Sequence, residues 1–483
     1  MRKPSALCVL ALAALAAASA ASGAVEATGA VAGAATTPAA CTTPQPVVHY
    51  TWIHCYTAPQ IRAAYGVDGL GLYGEGQTIV LVDSYGEPTG AQDLQKFHDT
   101  FFQGLPDPNF TAVYPNGAPD YKNVGNGQSG SSGAEGWAGE AALDIEWAYA
   151  IAPLAHIVLL GVPPAETEGV QGFPNLFKAI SDAIDAYPSG TVFSMSFGVT
   201  EETFGGATNQ PTKKFDAVFA KGNAKGDTFF ASSGDEGSLG VSKQHRDSVY
   251  YGHPTAGWPA SSPYVTAVGG TQLQYGWTWN PQSDVSFTAD GNYNPDYWQY
   301  TSGGAQNVVW NESWCPCATG GGPSMLYTRP PWQSGVDTDA GDHRLVPDLA
   351  WNASVNGGVL VYTSFFPGFD RVGWHVYGGT SAASPQVAAL TALAAEQAGH
   401  GLGNINKTIY ANPSAFSDVV PVREGSPDII SGDLSTNRMF DYNGDGLPAT
   451  WDAVPGWPTT PGYDMTTGWG TPDAAAYVAA LSH

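Results

Sequence analysis

Short apolar segments with the composition of buried strands alternate with segments of helical period along much of this chain. The strand-like segments are residues 78–83, 156–162, 191–197 and 228–233, and the helix-like segments are residues 91–101, 140–152, 173–187 and 213–225. Strands separated by helices pair in parallel, because the crossover helix returns the chain to the same end of the sheet. The sequence therefore predicts an α/β fold, with a mostly parallel sheet covered by helices on both faces.

Two later segments depart from this alternation. Between Gln272 and Asp342 the helical period disappears and Trp, Tyr, Asn, Gly and Ser dominate, so loops and hairpins are predicted before the sheet resumes at residues 359–362. A final long helix is predicted over residues 380–398, since Ala, Leu and Val recur there at helical spacing and Gly399 follows as a stop.

Acidic side chains dominate the charge balance. The 483 residues include 43 Asp and Glu but only 18 Lys and Arg, which gives a net charge of −25. Such a surface repels phosphates, so nucleic acid is excluded as a partner. Most carboxylates lack a basic partner, and their mutual repulsion relaxes as they protonate, so the balance predicts an acidic working environment.

The N-terminus has the layout of a cleavable secretory signal. Arg2 and Lys3 precede an apolar run at residues 6–18 and then small residues through Ala24. A membrane span needs ~20 apolar residues, and neither this run nor any other stretch is long enough. We therefore expect an exported, monomeric protein with no membrane partner. Residues 25–47, mostly Ala, Gly, Thr and Pro, are predicted to form a flexible leader.

Four cysteines follow the signal: Cys41, Cys55, Cys315 and Cys317. They permit three pairings. A direct bridge from Cys315 to Cys317 is expected to be strained, which favours pairing of at least one of them elsewhere, or a local loop from Cys41 to Cys55. The sequence does not choose among these.

A glycine-rich turn precedes the predicted last helix. Residues 378–385 read Gly-Gly-Thr-Ser-Ala-Ala-Ser-Pro, so Ser381 falls in the first helical turn, where Pro385 is still tolerated. A serine at the positive end of a helix is well placed to be a nucleophile whose neighbour becomes an anion. The alternative is an ordinary helix cap.

Two carboxylates lie four residues apart in a predicted helix. The spacing of Glu140 and Asp144 puts both on one face, one turn apart, where like charges repel. Unless water solvates them, one must hold a proton and the pair titrates as a unit. A solvated helix face is the alternative, but the neighbours Leu143, Ile145 and Trp147 are apolar and leave little of this helix for solvent.

A third acidic position follows a predicted buried strand. Residues 231–237 read Ala-Ser-Ser-Gly-Asp-Glu-Gly, which places Asp235 at the carboxyl edge of the sheet, where open α/β sheets bind ligands. The alternative is that Asp235 only forms the turn.

Together these three motifs resemble those of the sedolisin family, the serine-carboxyl peptidases of subtilisin-like fold. The resemblance begins near Thr57 and includes Gly-Thr-Ser-x-x-x-Pro, Glu-x-x-x-Asp and Ser-Gly-Asp in the family's order. It implies that Ser381 is the nucleophile, Glu140 its general base, Asp144 the orienter of Glu140 and Asp235 the oxyanion donor, acting on a protein or peptide substrate. In acid a carboxylate is a better general base than a histidine, because a histidine of pKa about 6.5 is protonated roughly 300 to 1 at pH 4 and cannot take a proton.

The resemblance also implies a calcium site near the C-terminus. Its ligands would be Asp418, the carbonyls of Val419, Thr460 and Gly462, and Asp464. Hard oxygen ligands suit Ca²⁺. Separately, Asp441, Asn443, Asp445 and Asp452 have the spacing of an EF-hand loop, and either a second calcium ion or a plain acidic turn is consistent with them.

The predicted organisation is a signal at residues 1–24, the leader at 25–47 and one peptidase domain at 48–483. The domain contains a loop-rich insert at 272–342 and the calcium-binding region at 416–470. Family members commonly carry a long folded prosegment, and only about thirty residues separate the signal from the catalytic opening, so none is expected here.

Three other functions compete with this interpretation. A subtilisin with a Ser-His-Asp triad could use Asp83, but His98 lies in a helical pattern and His156 opens a strand, so no histidine suits the base position. An acid glycoside hydrolase needs carboxyls on either side of a bond, which one helical turn does not provide. A non-catalytic binding protein could use the aromatic insert.

Overall fold

The computed structural model describes much of the chain, in separate ranges. These are residues 45–47, 51–53, 55–118, 134–162, 172–205, 212–241, 250–279, 298–300, 305–312, 315, 317–336, 340–365, 372–421, 433–439 and 454–483. The predicted signal, most of the leader, Cys41 and the EF-hand-like positions Asp441, Asn443, Asp445 and Asp452 lie outside them. The last three leader residues form a short strand, which pairs with residues 51–53.

Helices and strands follow one another in the predicted order. The helices are α1 Ala58–Ala64, α2 Gly90–Phe101, α3 Ala134–Ile151, α4 Phe173–Ala186, α5 Thr212–Lys225, α6 Thr380–Ala398, α7 Asn406–Ala411 and α8 Ala474–Leu481. The strands are β1 Gln45–Val47, β2 Thr51–Ile53, β3 Cys55–Tyr56, β4 Thr78–Ser84, β5 Phe110–Val113, β6 His156–Val162, β7 Val192–Met195, β8 Val199–Thr200, β9 Thr228–Ser232, β10 Gly257–Trp258, β11 Thr266–Gln274, β12 Trp277–Trp279, β13 Trp298–Tyr300, β14 Gln306–Val309, β15 Asn311–Glu312, β16 Cys317–Ala318, β17 Gly322–Thr328, β18 His343–Val346, β19 Leu349–Asn352, β20 Gly358–Thr363, β21 Gly373–Tyr377, β22 Phe416–Ser417 and β23 Thr471–Pro472.

An eight-stranded sheet forms the centre of the fold. Its order is β5-β6-β4-β7-β9-β11-β14, and β19 also pairs with β11. Every pair in it is parallel except β11 with β14. This confirms the predicted α/β class with a mostly parallel sheet. Within the described ranges, no helix combines the length and the apolar character needed to cross a bilayer.

Alternate side chains of the central strands fill two different cores. On β4, Ile79 and Leu81 pack into the core that contains α3 and α6, whereas Val80 and Val82 pack into the core that contains α4 and α5. Because both faces are covered, the strands are continuously apolar rather than alternating. α6 is buried from Thr380 to Ala395, as expected for a helix packed between the sheet and α3.

The carboxyl ends of three adjacent strands carry polar residues, two of which, Asp83 and Asp235, were named above. Asp83 lies at the end of β4, Ser196 follows β7, and Asp235 follows β9 by three residues. Since β4, β7 and β9 are parallel neighbours, these ends meet at one edge of the sheet. α3 and α6 pack against each other.

One prediction about the sheet was wrong. Residues 359–362 do form a strand, β20, but it belongs to a separate three-stranded sheet with β21 and β3. The central sheet continues instead through β14 and β19. A buried strand has the same apolar composition in either sheet, so composition could not assign it. The predicted hairpins are present in the described parts of the 272–342 region, as β12–β13 and β15–β16.

The expectation that Cys315 or Cys317 pairs elsewhere was also wrong, whereas the loop from Cys41 to Cys55 stays a prediction because Cys41 lies outside the described residues. Cys315 and Cys317 are bonded to each other, with their Cα atoms 5.3 Å apart, and Cys55 lies in a disulfide too. The chain reverses between β15 and β16, which pair antiparallel, and this reversal brings the two cysteines to an ordinary disulfide separation. The sequence shows only one intervening residue and not the turn.

Candidate functional site

Three acidic side chains meet at the carboxyl end of β4. Glu140 and Asp144 lie on α3, as predicted, and Asp83 comes from the strand beneath; their exposed fractions are 2%, 0% and 0%. Burial raises the pKa of Asp83 from its ordinary 3.8 to about 8. Burial also raises the pKa of Asp144 well above its ordinary value, and the charges of Asp83 and Glu140 raise it further. The cluster therefore holds protons at acidic pH.

Two serines of the β7 segment connect this cluster to the last helix. Ser196 Oγ donates a hydrogen bond to Asp144 Oδ1 at 3.0 Å. Ser194 Oγ lies 2.9 Å from Ser384 Oγ on α6, one residue before Pro385, which lies inside the helix and not in its first turn as expected. β7 therefore fixes the position of α3 relative to α6.

Asp235 lies directly against the start of α6. Its Oδ1 accepts hydrogen bonds from the backbone N–H and the hydroxyl of Thr380, both at 2.8 Å, and the hydroxyl of Thr380 also accepts the N–H of Gly234 at 3.1 Å. Thr380 immediately precedes Ser381, which is 9% exposed. The third acid of the sequence motif and the serine are thus brought together by Thr380.

Glycines make this close approach sterically feasible. Gly379 has a φ of +98°, and a Cβ there would lie 2.7 Å from Asp235 Oδ2. A Cβ on Gly139, next to Glu140, would lie 2.7 Å from the hydroxyl of Tyr377. A side chain at Gly379 would push Asp235 away from the start of α6, and one at Gly139 would displace the Tyr377 hydroxyl.

Burial keeps Asp235 protonated in mild acid. Desolvation raises its pKa from 3.8 to about 6, although the two hydrogen bonds from Thr380 oppose the shift. The pKa of the next residue, Glu236, rises from 4.5 to about 7, through burial and then the charge of Asp235. Below about pH 6, Asp235 can therefore donate a hydrogen bond as well as accept those of Thr380.

Sequence reasoning missed part of this arrangement. The sequence pattern suits Asp83 only to a Ser-His-Asp triad, and nothing in it marks Ser196 or Thr380 as neighbours of the acids. Their position at strand or helix ends on the same edge was the available signal. The two histidines considered for that triad are engaged elsewhere, since His98 Nδ1 lies 2.6 Å from the Tyr149 hydroxyl and His156 Nε2 lies 2.9 Å from the Thr111 hydroxyl.

The five predicted metal ligands lie on two neighbouring segments near the C-terminus. The N–H of Gly462 donates to Asp418 Oδ2 at 2.8 Å, and the N–H of Thr460 donates to Asp464 Oδ2 at 3.1 Å. Val419 is fully buried beside Asp418. The structure therefore places the residues of the predicted set close to one another.

The chemistry of this donor set fits a hard cation. Two carboxylates and three backbone carbonyls supply only oxygen. Asp464 is 3% exposed, and burial raises its pKa from 3.8 to about 7. Among the described residues, neither Asp418 nor Asp464 forms an ion pair with a basic side chain. A divalent cation would stabilise the ionised form of that buried carboxyl.

Known proteins match most of the chain. The sequence profile of the subtilase family matches residues 125–404. Kumamolisin from Bacillus sp. (strain MN-32) is 30% identical over 437 residues, which is 88% of this chain and 63% of kumamolisin. Sedolisin from Pseudomonas sp. (strain 101) is 32% identical over 268 residues, 54% of this chain and 36% of sedolisin. The chain thus spans less than two thirds of the length of these relatives.

A solved structure supports the same relationship. Pseudomonas sedolisin, described as a serine-carboxyl proteinase in complex with two molecules of pseudo-iodotyrostatin, superimposes with a TM-score of 0.62 at 26% identity. The match covers 88% of this chain and 98% of that chain. The fold is therefore the subtilisin-like α/β fold of sedolisin.

Proposed function

Because this chain belongs to the subtilase family, and within it to the sedolisins, we propose that it is an exported serine-carboxyl peptidase acting in acid. Ser381 would be the nucleophile, Glu140 the general base, Asp144 the group that orients Glu140, and Asp235 the oxyanion donor. The observation that carries the proposal is the contact of Asp235 with Thr380, which puts a buried acid beside the nucleophile turn.

The proposed reaction needs only groups of this chain. Ser381 Oγ attacks the carbonyl carbon of a peptide bond while Glu140 takes its proton and later returns one to the leaving amine. Asp144, held by Ser196, keeps Glu140 in place. Protonated Asp235 donates a hydrogen bond to the oxyanion, at the positive end of α6. Water then hydrolyses the acyl-enzyme by the same route.

Buried carboxyls also make the folded state more stable at acidic pH than at neutral pH. Burial raises the pKa of Asp83 and of Glu87 to about 8, and that of Glu201 to about 7, whereas these groups titrate near pH 4 in an unfolded chain. The folded state therefore binds more protons than the unfolded state between these values. The contribution of these three carboxyls to the free energy of unfolding is fully present below about pH 4 and is lost as pH rises toward 8.

We expect the purified protein to digest an unfolded protein substrate best near pH 4, and to lose most of its activity by pH 7. The physical reason is that Asp235, with a pKa of about 6, stops donating as it ionises. Loss of one oxyanion donor costs about 3 kcal/mol of barrier, or ~100-fold in rate. The measurement is a profile of kcat/KM from pH 3 to 8, with circular dichroism at each pH.

Three outcomes of that profile would contradict the proposal. Full activity at pH 8 would indicate a histidine base, as in an ordinary subtilisin. Release of sugar without peptide cleavage would indicate a glycosidase. A folded protein with no turnover at any pH would indicate a binding protein built on a peptidase fold.

We also propose that Asp418, Asp464 and the carbonyls of Val419, Thr460 and Gly462 hold Ca²⁺. The ion would supply structural stabilisation only, by tying the segment after β22 to the segment before β23. Gly470, beside β23, packs so closely on Ser417 that a Cβ there would lie 2.1 Å from the Ser417 carbonyl oxygen, so these segments are already in contact.

We expect a chelator to lower the melting temperature at pH 5.5 by about 5 °C or more, and added Ca²⁺ to restore it. Asp418→Asn should melt like the chelated protein and should not respond to chelator, because it lacks one carboxylate of the site. Calorimetry measures both. Identical melts with and without chelator would remove the calcium assignment.

A further inference from the structure

A disulfide closes the hairpin that lies beside Asp235. β15 and β16 pair antiparallel, with Glu312 opposite Cys317 and Asn311 opposite Ala318. The Cys315–Cys317 bond lies at the end of this hairpin, and both cysteines are buried, with exposed fractions of 8% and 0%. The bond therefore restrains the backbone direction of residues 317–320 where they leave the turn.

Residues 317–320 run along the segment that carries Asp235. The N–H of Ala318 donates to the Asp235 carbonyl at 2.8 Å, and the Ala318 carbonyl accepts the N–H of Gly237 at 2.9 Å. The N–H of Gly320 donates to the Gly234 carbonyl at 2.7 Å. Asp235 is thus hydrogen-bonded through its main chain to the residue after Cys317, and through its side chain to Thr380.

Residues 317–320 and residues 233–237 are closely packed against each other. A Cβ on Gly320 would lie 2.3 Å from the Ser233 carbonyl oxygen, and Ser233 Oγ donates to the Gly320 carbonyl at 2.7 Å. On the far side, a Cβ on Gly237 would lie 2.1 Å from the Asn437 carbonyl oxygen. A displacement of residues 317–320 must therefore displace residues 233–237, because close-packed atoms transmit shifts.

The same hairpin is also tied to the turn before the nucleophile. The carboxylate of Glu312 accepts the N–H groups of Val355 and Asn356 at 2.8 and 2.7 Å. Two residues earlier, the Ala353 carbonyl accepts the N–H of Gly379 at 2.6 Å. One hairpin therefore contacts the segment that carries Asp235 directly, and the turn before Ser381 through residues 353–356.

We propose that the Cys315–Cys317 disulfide is a positioning element for catalysis: it holds the backbone of Asp235 in register with Thr380, so that the Asp235 carboxyl stays desolvated beside Ser381. The proposal rests on the proposed function, since it serves the oxyanion role of Asp235. Cys315 and Cys317 take no part in the chemistry. Opening of the bond admits water to Asp235 and lets its carboxyl move.

Opening the disulfide has a specific signature in the pH profile. Burial is the cause of the raised pKa of Asp235, so hydration lowers that pKa toward its ordinary value. Asp235 then ionises, and stops donating, at a lower pH. The alkaline limb of the pH profile, which is the fall in kcat as pH rises, therefore moves to lower pH. A purely structural loss would reduce the amount of active protein at every pH without moving the limb.

The test is the double variant Cys315→Ser/Cys317→Ser, assayed from pH 3 to 7 on an unfolded protein substrate. We expect kcat at pH 4 to fall about tenfold, because a small misplacement of one catalytic group has effects of this order. The alkaline limb should move by about one pH unit to lower pH, because hydration lowers the pKa of Asp235. KM should change less than kcat. The matched control is Cys55→Ser, which removes the disulfide at β3 and should leave the limb in place.

A second measurement covers the case in which the double variant fails to fold. The folded wild-type protein is treated at pH 4.5 with a water-soluble phosphine, which converts one disulfide and one water into two thiols and a phosphine oxide. Phosphines reduce in acid, where thiol reductants are slow for lack of thiolate. The wild type and Cys55→Ser should both show the shifted limb after treatment, and the double variant should show no further change.

The outcomes separate this inference from the function on which it rests. An active wild type overturns the positioning role alone if its kcat and alkaline limb are unaltered by the double substitution, or by phosphine treatment that yields free thiols at Cys315 and Cys317. A shift in Cys55→Ser equal to that in the double variant also overturns it. No peptidase activity in the wild type at any pH overturns the proposed function instead.

Discussion

Replacement of Ser381 by alanine is expected to lower kcat at pH 4 by about four orders of magnitude or more, because the variant has no nucleophile and other serine peptidases lose as much. Glu140→Gln should lower kcat by about a thousandfold, since it keeps the shape of the side chain but cannot take a proton. Single-turnover assays with a peptide substrate measure both, and the melting temperatures should stay near that of the wild type.

The matched control for Glu140→Gln is Glu146→Gln on the same helix. Glu146 is 1% exposed, burial raises its pKa well above the ordinary value, and its Oε2 accepts the N–H of Tyr362 at 2.9 Å. A glutamine can accept the same bond, so this variant should keep kcat within about threefold. Equal losses in Glu140→Gln and Glu146→Gln would mean that Glu140 is not the base.

Asp235→Asn is expected to change the pH dependence more than the maximal rate. The Asn carbonyl can accept the bonds from Thr380 while its amide donates at every pH, so the fall in kcat between pH 5 and 7 should flatten. Asp235→Ala removes the donor and should lower kcat at pH 4 by about 100- to 1,000-fold. Profiles of kcat for both variants test the oxyanion assignment.

A second buried aspartate provides the control for this experiment. Burial also raises the pKa of Asp216 to about 6, but its carboxylate accepts hydrogen bonds from Ser262 and Tyr327, not from the nucleophile turn. Asp216→Asn should therefore leave the alkaline limb unchanged. If Asp216→Asn flattens the limb and Asp235→Asn does not, the limb reports the stability of the fold and not an oxyanion donor.

Local patterns were sufficient for most of the elements. The helical period around Glu140 and Asp144 predicted α3, and the apolar run at residues 78–83 predicted β4 almost to its ends. Such signals are readable because burial on one side of a helix, or on both faces of a strand, selects apolar residues at a fixed spacing. The α/β class followed from their alternation.

Pairing between distant segments was not readable in this way. The partner of Asp144 from β4, Asp83, is 61 residues away in the sequence, and no periodicity connects them. The assignment of β20 to a second sheet is of the same kind. The closure of Cys315 on Cys317 spans only two positions, but it depends on a turn that the sequence pattern does not show. Each depends on the path of the backbone in three dimensions, and the amino-acid composition of a segment is compatible with several such paths.

The sequence by itself determined the types of secondary structure, the acidic balance and which residues form the three motifs, because these depend on neighbours within a few positions. The tertiary structure decided that Asp235 lies on Thr380, that Asp83 joins Asp144, and that a disulfide hairpin runs alongside Asp235. The physical reason is that desolvation depends on contacts across the whole fold. The proton affinity of each acid is therefore a property of the packed molecule.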